Sequence, residues 1–346
     1  MAVHAYTSFS YSYLDRARVL AASLRKHHPD WIVWAVLTDK EPQGFNLDWD
    51  AEDFDYVITA DDLYGDAVSG WLFRHDVIEA CTAVKGRALR YILDRPDAEK
   101  VFYFDPDIAL FNPVTPIEDI LDTAAIVLTP HQLDPDDKSD PQAIIDNEIT
   151  SLDYGAFNLG FLAVQNCPEA RRFTNWWTDR LDDWCHDRLD LGLFVDQKWC
   201  NLAPCFFDQV SILRDPGCNV ASWNLSRRRL VFDSEGQALI NGKLLRFYHF
   251  TKLGPIGDTM TRRYARDNSE VFELWWWYRQ QVAANAEPGL PERWWHYGTF
   301  ANGTKIPKNV RELYRYRVDL QRAFPEPFDV GDNTLHAWLN HEGYLP

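Results

Sequence analysis

Short, continuously apolar runs alternate with amphipathic stretches through the first 110 residues, and that alternation leaves few folds open to the chain. Val3–Ser8 reads as a strand, and Leu14–His27 as a helix with Leu14, Ala17, Val19, Leu20 and Leu24 near one face. Trp31–Leu37 is almost wholly apolar and ends at Thr38-Asp39. Such a run fits a strand buried on both faces of a parallel sheet. Tyr56–Thr59 predicts a further strand, followed by Ala60-Asp61-Asp62 as a loop or cap. Val77–Leu93 predicts a helix that stops before Arg95-Pro96, and Val101–Phe104 a buried strand ending at Asp105-Pro106-Asp107. These spacings imply βαβ units, and so an α/β fold with a doubly wound, mostly parallel sheet and helices on both faces.

Two more strands, Ala125–Thr129 and Phe161–Val164, organise the middle of the chain. Between them Gln132–Asn147 is rich in Asp and Pro, which suits a loop over a site. Ala170–Leu189 predicts an amphipathic helix with Phe173, Trp176, Trp177, Leu181 and Trp184 on its apolar face. From Arg262 onward the chain carries six of its fifteen tryptophans. The expected division is a catalytic domain over residues 1–258 and a helical, Trp-rich C-terminal extension over 259–346 packed on it. A Trp-rich surface for sugar stacking or peripheral membrane contact is the alternative reading.

The charge balance excludes some partners. Fifty-two acidic side chains against 35 basic ones give a formal charge of −17. Nucleic acids and anionic bilayers gain affinity from Lys and Arg, so general binding to either is disfavoured. A small anionic ligand held by a metal and a few local cations stays open. No apolar run is long enough to span a bilayer, and Met1–Tyr6 has no basic leader pattern. The six cysteines form no CxxC pair, and Cys200 with Cys205 lacks two further zinc ligands. Free thiols and a cytoplasmic location are the expectation.

The segment most suited to chemistry is Val101-Phe102-Tyr103-Phe104-Asp105-Pro106-Asp107. It delivers two carboxylates, two residues apart, to the carboxyl end of a parallel sheet, where open α/β sheets bind ligands. Two hard oxygen donors suit Mg²⁺ or Mn²⁺, and such an ion would neutralise a diphosphate. A solvated Asp-Pro-Asp turn is the plain alternative. Two enzyme classes place an Asp-x-Asp after such a strand. Haloacid-dehalogenase type phosphatases carry it on the first strand and continue with Thr or Val two positions on, where this chain has Ala109. GT-A glycosyltransferases carry it later, as here.

Over roughly residues 1 to 255 the chain resembles the GT-A glycosyltransferases, and among them the retaining family 8 type. Tyr6-Thr7-Ser8 matches the place where that family's backbone contacts the nucleoside. Thr82–Arg90 matches a helix that carries a donor-facing basic residue, here Lys85. Phe157-Asn158-Leu159-Gly160-Phe161 is similar to the family's Asn-x-Gly, which implies that Asn158 binds donor sugar and Gly160 permits close backbone approach. Val195-Asp196-Gln197 resembles its Asp-Gln pair near the anomeric carbon, and Cys218–Asn224 a stretch packed near the diphosphate. Phe247-Tyr248-His249-Phe250-Thr251-Lys252 matches a late strand whose His completes the metal shell and whose basic residue grips the diphosphate. In this chain Gly254 follows that lysine instead of preceding it.

The resemblance implies a metal-dependent hexosyltransferase. Asp105, Asp107 and His249 would hold Mn²⁺ or Mg²⁺. Tyr6, Thr7, Ser8, Lys85, Asn158, Gly160 and Lys252 would bind the donor, with Asp196 and Gln197 at the reacting carbon. The implied donor is a nucleotide-diphosphate sugar, with uridine first and guanosine second. The implied acceptor is a saccharide, a lipid-linked oligosaccharide or a protein side chain, as in polysaccharide biosynthesis, and the implied outcome is retention. A phosphohydrolase and a catalytically inactive sugar-nucleotide-binding relative are the other two readings.

Overall fold

The computed structural model describes residues 1–345. Its centre is a doubly wound, mostly parallel sheet. The strands are β1 (Ala2–Phe9), β2 (Ile32–Leu37), β3 (Tyr56–Thr59), β4 (Ala98–Phe104), β5 (Ile108–Leu110), β6 (Ile126–Pro130), β7 (Phe157–Gln165), β8 (Val210–Ile212) and β9 (Phe247–His249). Seven of them form the main sheet in the order β8-β6-β7-β4-β1-β2-β3, and β5 pairs with β9 as a separate two-stranded ribbon. Within the main sheet β7 alone runs antiparallel to its neighbours β4 and β6. Crossover helices force the other six into parallel alignment, and burial on both faces explains their unbroken apolar runs.

Helix α1 (Leu14–His27) covers one face of the sheet, while α2 (Val77–Leu93) and α3 (Pro168–Trp184) cover the other. A capping box starts α2. The Asp76 carboxylate accepts from the Glu79 amide at 2.9 Å, and the Glu79 carboxylate accepts from the Asp76 amide at 3.1 Å. Gly86 lets α2 and α3 approach closely, because a Cβ there would sit 2.9 Å from the Thr178 Cα. This close crossing holds α2 rigidly against the sheet edge where the carboxylates emerge.

Two local expectations are sharpened. Of the loop or cap expected at Ala60-Asp61-Asp62 the cap is found, in the first turn of a short helix, Ala60–Tyr64. Thr59 and Asp62 cap each other and supply the missing hydrogen bonds. The helix expected over 170–189 ends at Trp184, which is exposed, so the buried stripe is Phe173, Trp177 and Leu181 at i, i+4 spacing. The segment after Gln132 is a loop that folds on itself through short helical turns, with buried Asn147 donating to Asp136 at 2.8 Å.

Residues beyond 255 pack on this frame. Helix α4 (Pro255–Ala265) straddles position 258, and α5 (Ser269–Ala284) buries Val271, Leu274, Trp275, Tyr278 and Val282. The Tyr278 ring stacks on Phe250 at 3.9 Å, and Trp275 donates to the Tyr248 hydroxyl at 3.0 Å. Farther on, α6 (Lys308–Tyr316) sends Arg311 to the carbonyls of Phe73 and His75. A strap around Trp294–Tyr297 crosses the carboxyl end of β2. There the Trp294 indole donates to the Lys40 carbonyl at 2.7 Å, and the His296 amide to Asp39 at 2.8 Å.

Asp39 also accepts the amides of Tyr11 and Lys40. Burial pushes its carboxyl up to about 7 against these three donors. An acid whose pKa is raised by folding stabilises most below its unfolded value, near 4, and loses that contribution as pH rises through about 7. Replacing Asp39 with Asn is therefore expected to flatten the fall in Tm between pH 4 and 7, read by calorimetry across that range. An unchanged slope would contradict the assignment.

Candidate active site

The site is assembled where β4 ends. Its last residues leave the sheet at Asp105-Pro106-Asp107, and β5 then turns the chain into the ribbon with β9. Register does the rest. His249 pairs with Ile108, and the Phe250 amide donates to the Asp107 carbonyl at 2.8 Å. One ligand atom each from Asp105, Asp107 and His249 lies within 4.8 Å of the others. The His249 Nε2 stands 3.0 Å from Asp107 and 3.7 Å from Asp105.

The antiparallel direction of β7 carries the Asn-x-Gly to the same place. Phe161 pairs with Phe104, so Asn158 and Gly160, at the start of β7, lie beside the end of β4. The Asp105 amide donates to the Gly160 carbonyl at 2.8 Å. Asn158 Oδ1 lies 3.2 Å from His249 Nδ1 and accepts from Asn219 Nδ2 at 3.2 Å. With Nδ1 donating to Asn158, His249 turns its Nε2 toward the two carboxylates, and that is the atom a metal would take once its proton is lost. A Cβ on Gly160 would come 2.7 Å from His249 Nδ1 and 2.8 Å from Asn158 Oδ1. Gly160 thus makes room for an imidazole, whereas the sequence suggested room for a donor. A cradle that only glycine permits, an oriented imidazole and two carboxylates together fit a divalent ion such as Mn²⁺ or Mg²⁺.

Lys85 is the second centre. It is 2% exposed, and its ammonium reaches Asp196 at 2.8 Å, Asp105 at 3.0 Å and the Leu159 carbonyl at 3.0 Å. It also lies 4.2 Å from the Tyr103 ring centroid. The sequence placed this basic residue facing the donor, but its three hydrogen bonds are taken by the protein itself. Asp196 is correspondingly held against Lys85. The Gln197 carboxamide donates to the Tyr154 carbonyl at 2.9 Å, which fixes its orientation.

The charges are mutually compensated. Burial disfavours the His249 imidazolium, but Asp107 and Asp105 outweigh it and raise the imidazole above its ordinary range. Asp107 is lowered for the same reason, with His249 overcoming the cost of burial. Burial raises the Asp196 carboxyl, and Lys85 opposes it. Lys85 itself is raised, because the two carboxylates exceed the penalty for burying it.

The remaining expected residues divide. Tyr6 and Ser8 spend their side chains on α2, donating to the carbonyls of Lys85 at 3.2 Å and Cys81 at 2.6 Å. The buried Thr7 hydroxyl has no partner among the described residues. Lys252 stands exposed in the turn after β9, with a left-handed backbone (φ +54°), and is not drawn into the cluster. Sequence reasoning missed Tyr103, whose hydroxyl donates to Asp105 at 2.5 Å. Strand alternation could have found it, since residues i and i+2 share a face. It also missed His131, whose Nε2 lies 3.2 Å from the Asn158 amide nitrogen, and no local pattern marks it. Trp223, within the Cys218–Asn224 stretch, sets its ring edge-on to His249 at 5.3 Å between centroids.

Two substitutions test the cradle. Gly160→Ala is expected to displace the His249 ring and abolish Mn²⁺ binding by calorimetry. Asn158→Ala is expected to weaken Mn²⁺ about 10- to 100-fold through loss of imidazole orientation. Wild-type affinity in both variants would refute this geometry.

No protein-family model matches the chain. Two Bacillus subtilis proteins of uncharacterised function resemble it in sequence. YfnD is 24% identical over 340 residues, covering 96% of each chain, and YfnF is 24% identical over 182 residues, covering 51% of this chain and 57% of YfnF. Among solved structures, the galactosyltransferase LgtC is similar at 15% identity and a TM-score of 0.49, over 84% of this chain and 98% of LgtC. The Streptococcus pneumoniae glycosyltransferase GlyE follows at 16%, 0.43, 81% and 64%, and mouse xyloside xylosyltransferase 1 at 14%, 0.40, 74% and 99%.

Proposed function

We propose that the chain is a divalent-metal-dependent glycosyltransferase of the GT-A type, moving a hexose from a nucleoside-diphosphate sugar to a saccharide or other acceptor with retention. The observation that carries this reading is the convergence of Asp105, Asp107 and His249 at the carboxyl edge of the sheet, beside the Lys85–Asp196 pair. That edge is the ligand-binding side of an open α/β sheet. Bound there by those three side chains, a divalent ion supplies charge neutralisation for a departing diphosphate. We assign uridine as the base.

The residues of the chain divide the work. Lys85 fixes Asp105 and Asp196 in one geometry before any ligand arrives, so no reorganisation is needed as charge develops. Asp196 lies against Lys85, and this proposal places the donor hexose there, with the neighbouring Gln197 beside its reacting carbon. Lys252, exposed beyond β9, is free to swing toward the diphosphate. As the glycosidic bond breaks, the sugar gains oxocarbenium character, and the Gln197 carboxamide oxygen faces that developing positive charge.

The reading of retention rests on the likeness of Asp196-Gln197 to the pair of the retaining family. An inverting enzyme needs a free carboxylate as base on the far face of the sugar. In the loop after Gln132, Asp136, Asp140, Asp146 and Glu148 are tied to other groups. Exposed Asp134 has no hydrogen-bond or ion-pair partner among the described residues, so it is the first candidate for that base should the product prove inverted.

Calorimetry with UDP and Mn²⁺ tests the metal assignment. Asp105→Asn and Asp107→Asn are each expected to abolish metal-dependent UDP binding, and retained affinity in both would sink it. Gln197→Ala is expected to lower turnover by orders of magnitude, with the affinity for UDP little changed, since its contact belongs to the transition state. Proton NMR of the product linkage should show the donor's anomeric configuration, and an inverted anomer would overturn the role of Gln197.

A further inference from the structure

We propose that the outer face of α5 forms a second saccharide site, a cleft for a neutral oligosaccharide, separate from the carboxylate–histidine cluster. Helix α5 has two apolar faces. Its inner face is spent on the core. On its outer face Phe272 and Trp276, one turn apart, are 38% and 66% exposed, where a solvated helix would carry polar residues. A cleft of about 910 Å³ opens beside them, walled opposite by exposed Phe232 from a hairpin strand (Leu230–Phe232). Phe111 and Trp277 also line it, their rings 5.1 Å apart.

The lining selects the ligand class. Aromatic faces presented around a concave space match the C–H faces of pyranose rings. Hydroxyl groups also need polar partners, and the rim offers Gln237, Glu273 and Lys26, whose side chains make no hydrogen bond or ion pair among the described residues. One cation and one anion balance, so a neutral ligand is favoured over a charged one. The chain's charge of −17 further disfavours anionic glycans and anionic bilayers. The volume suits a bound small ligand of several rings.

The site is distinct from the first. In the β5–β9 ribbon His249 pairs with Ile108 at one end and Phe247 with Leu110 at the other. Phe111 follows Leu110, so the cleft begins at the ribbon end away from His249. It shares no residue with the metal cluster and stands or falls independently of the proposed reaction.

The test uses the full chain with maltohexaose, cellohexaose and chitohexaose, read by calorimetry and saturation-transfer NMR. At least one is expected to bind. Trp276→Ala is expected to weaken it about tenfold, the loss of one stacked ring face. Phe232→Ala should act in the same direction. Both side chains are exposed, so folding is spared, and UDP–Mn²⁺ affinity serves as the control that stays constant. Failure of all three sugars to bind, or binding indifferent to Trp276→Ala, would overturn the proposal. Trp276-dependent binding to phosphatidylcholine vesicles, or a dimer dispersed by Trp276→Ala, without sugar binding would also overturn it. Loss of UDP binding in the wild type would instead count against the proposed transferase and leave this test intact.

Discussion

A single buried ammonium organises the site. Lys85 is enclosed by Asp105, Asp196 and the Leu159 carbonyl, and no water is needed to satisfy it. Burying a charge is costly unless it is paired and hydrogen-bonded, and removing one partner leaves the other uncompensated at roughly 3–5 kcal/mol. Three segments distant in sequence therefore have to meet there: α2, the end of β4, and the turn carrying Asp196. Gly86 supports this from behind by letting α2 press against α3. Such a pair contributes little net stability, but it fixes geometry. Asp105 serves both the ammonium and the candidate metal position, which couples the two halves of the site.

A steric constraint fixes the other half. His249 reaches the carboxylates only because Gly160 has no side chain and because β7 runs against its neighbours. Asn158 then orients the imidazole through its Nδ1. The Asn-x-Gly so shapes the metal side of the site, with Asn158 acting through His249. The orientation of an imidazole by a carboxamide two residues from its cradle is a compact solution, since both come from one strand.

The segment beyond residue 255 is bound to this frame by its own buried groups. Arg315 donates to Glu79, the residue that caps α2, and Glu79 also accepts from the Asp187 amide at 3.1 Å. The Asp187 backbone leads to Val195, whose amide donates to the His186 carbonyl at 2.9 Å and whose φ of +35° is strained for a β-branched residue. Asp196 follows directly. The C-terminal helices thus abut the same turn that presents the Lys85 partner.

Much of this was legible in the chain alone. Buried strands declare themselves as apolar runs, because a residue covered on both faces has no polar alternative, and so β1, β2 and β4 and the carboxylates closing β4 could be read directly. The Asp-x-Asp was readable from its place at the end of β4, and the Asn-x-Gly and late His joined it through the resemblance to a known family. What the sequence did not determine was partnership. Nothing local says that β7 is antiparallel, that Asn158 faces His249, or that Lys85 is consumed by Asp105 and Asp196 before any ligand arrives. Strand direction and side-chain pairing are set by long-range packing and by the need to satisfy every buried charge, and those conditions exist only once the sheet has closed.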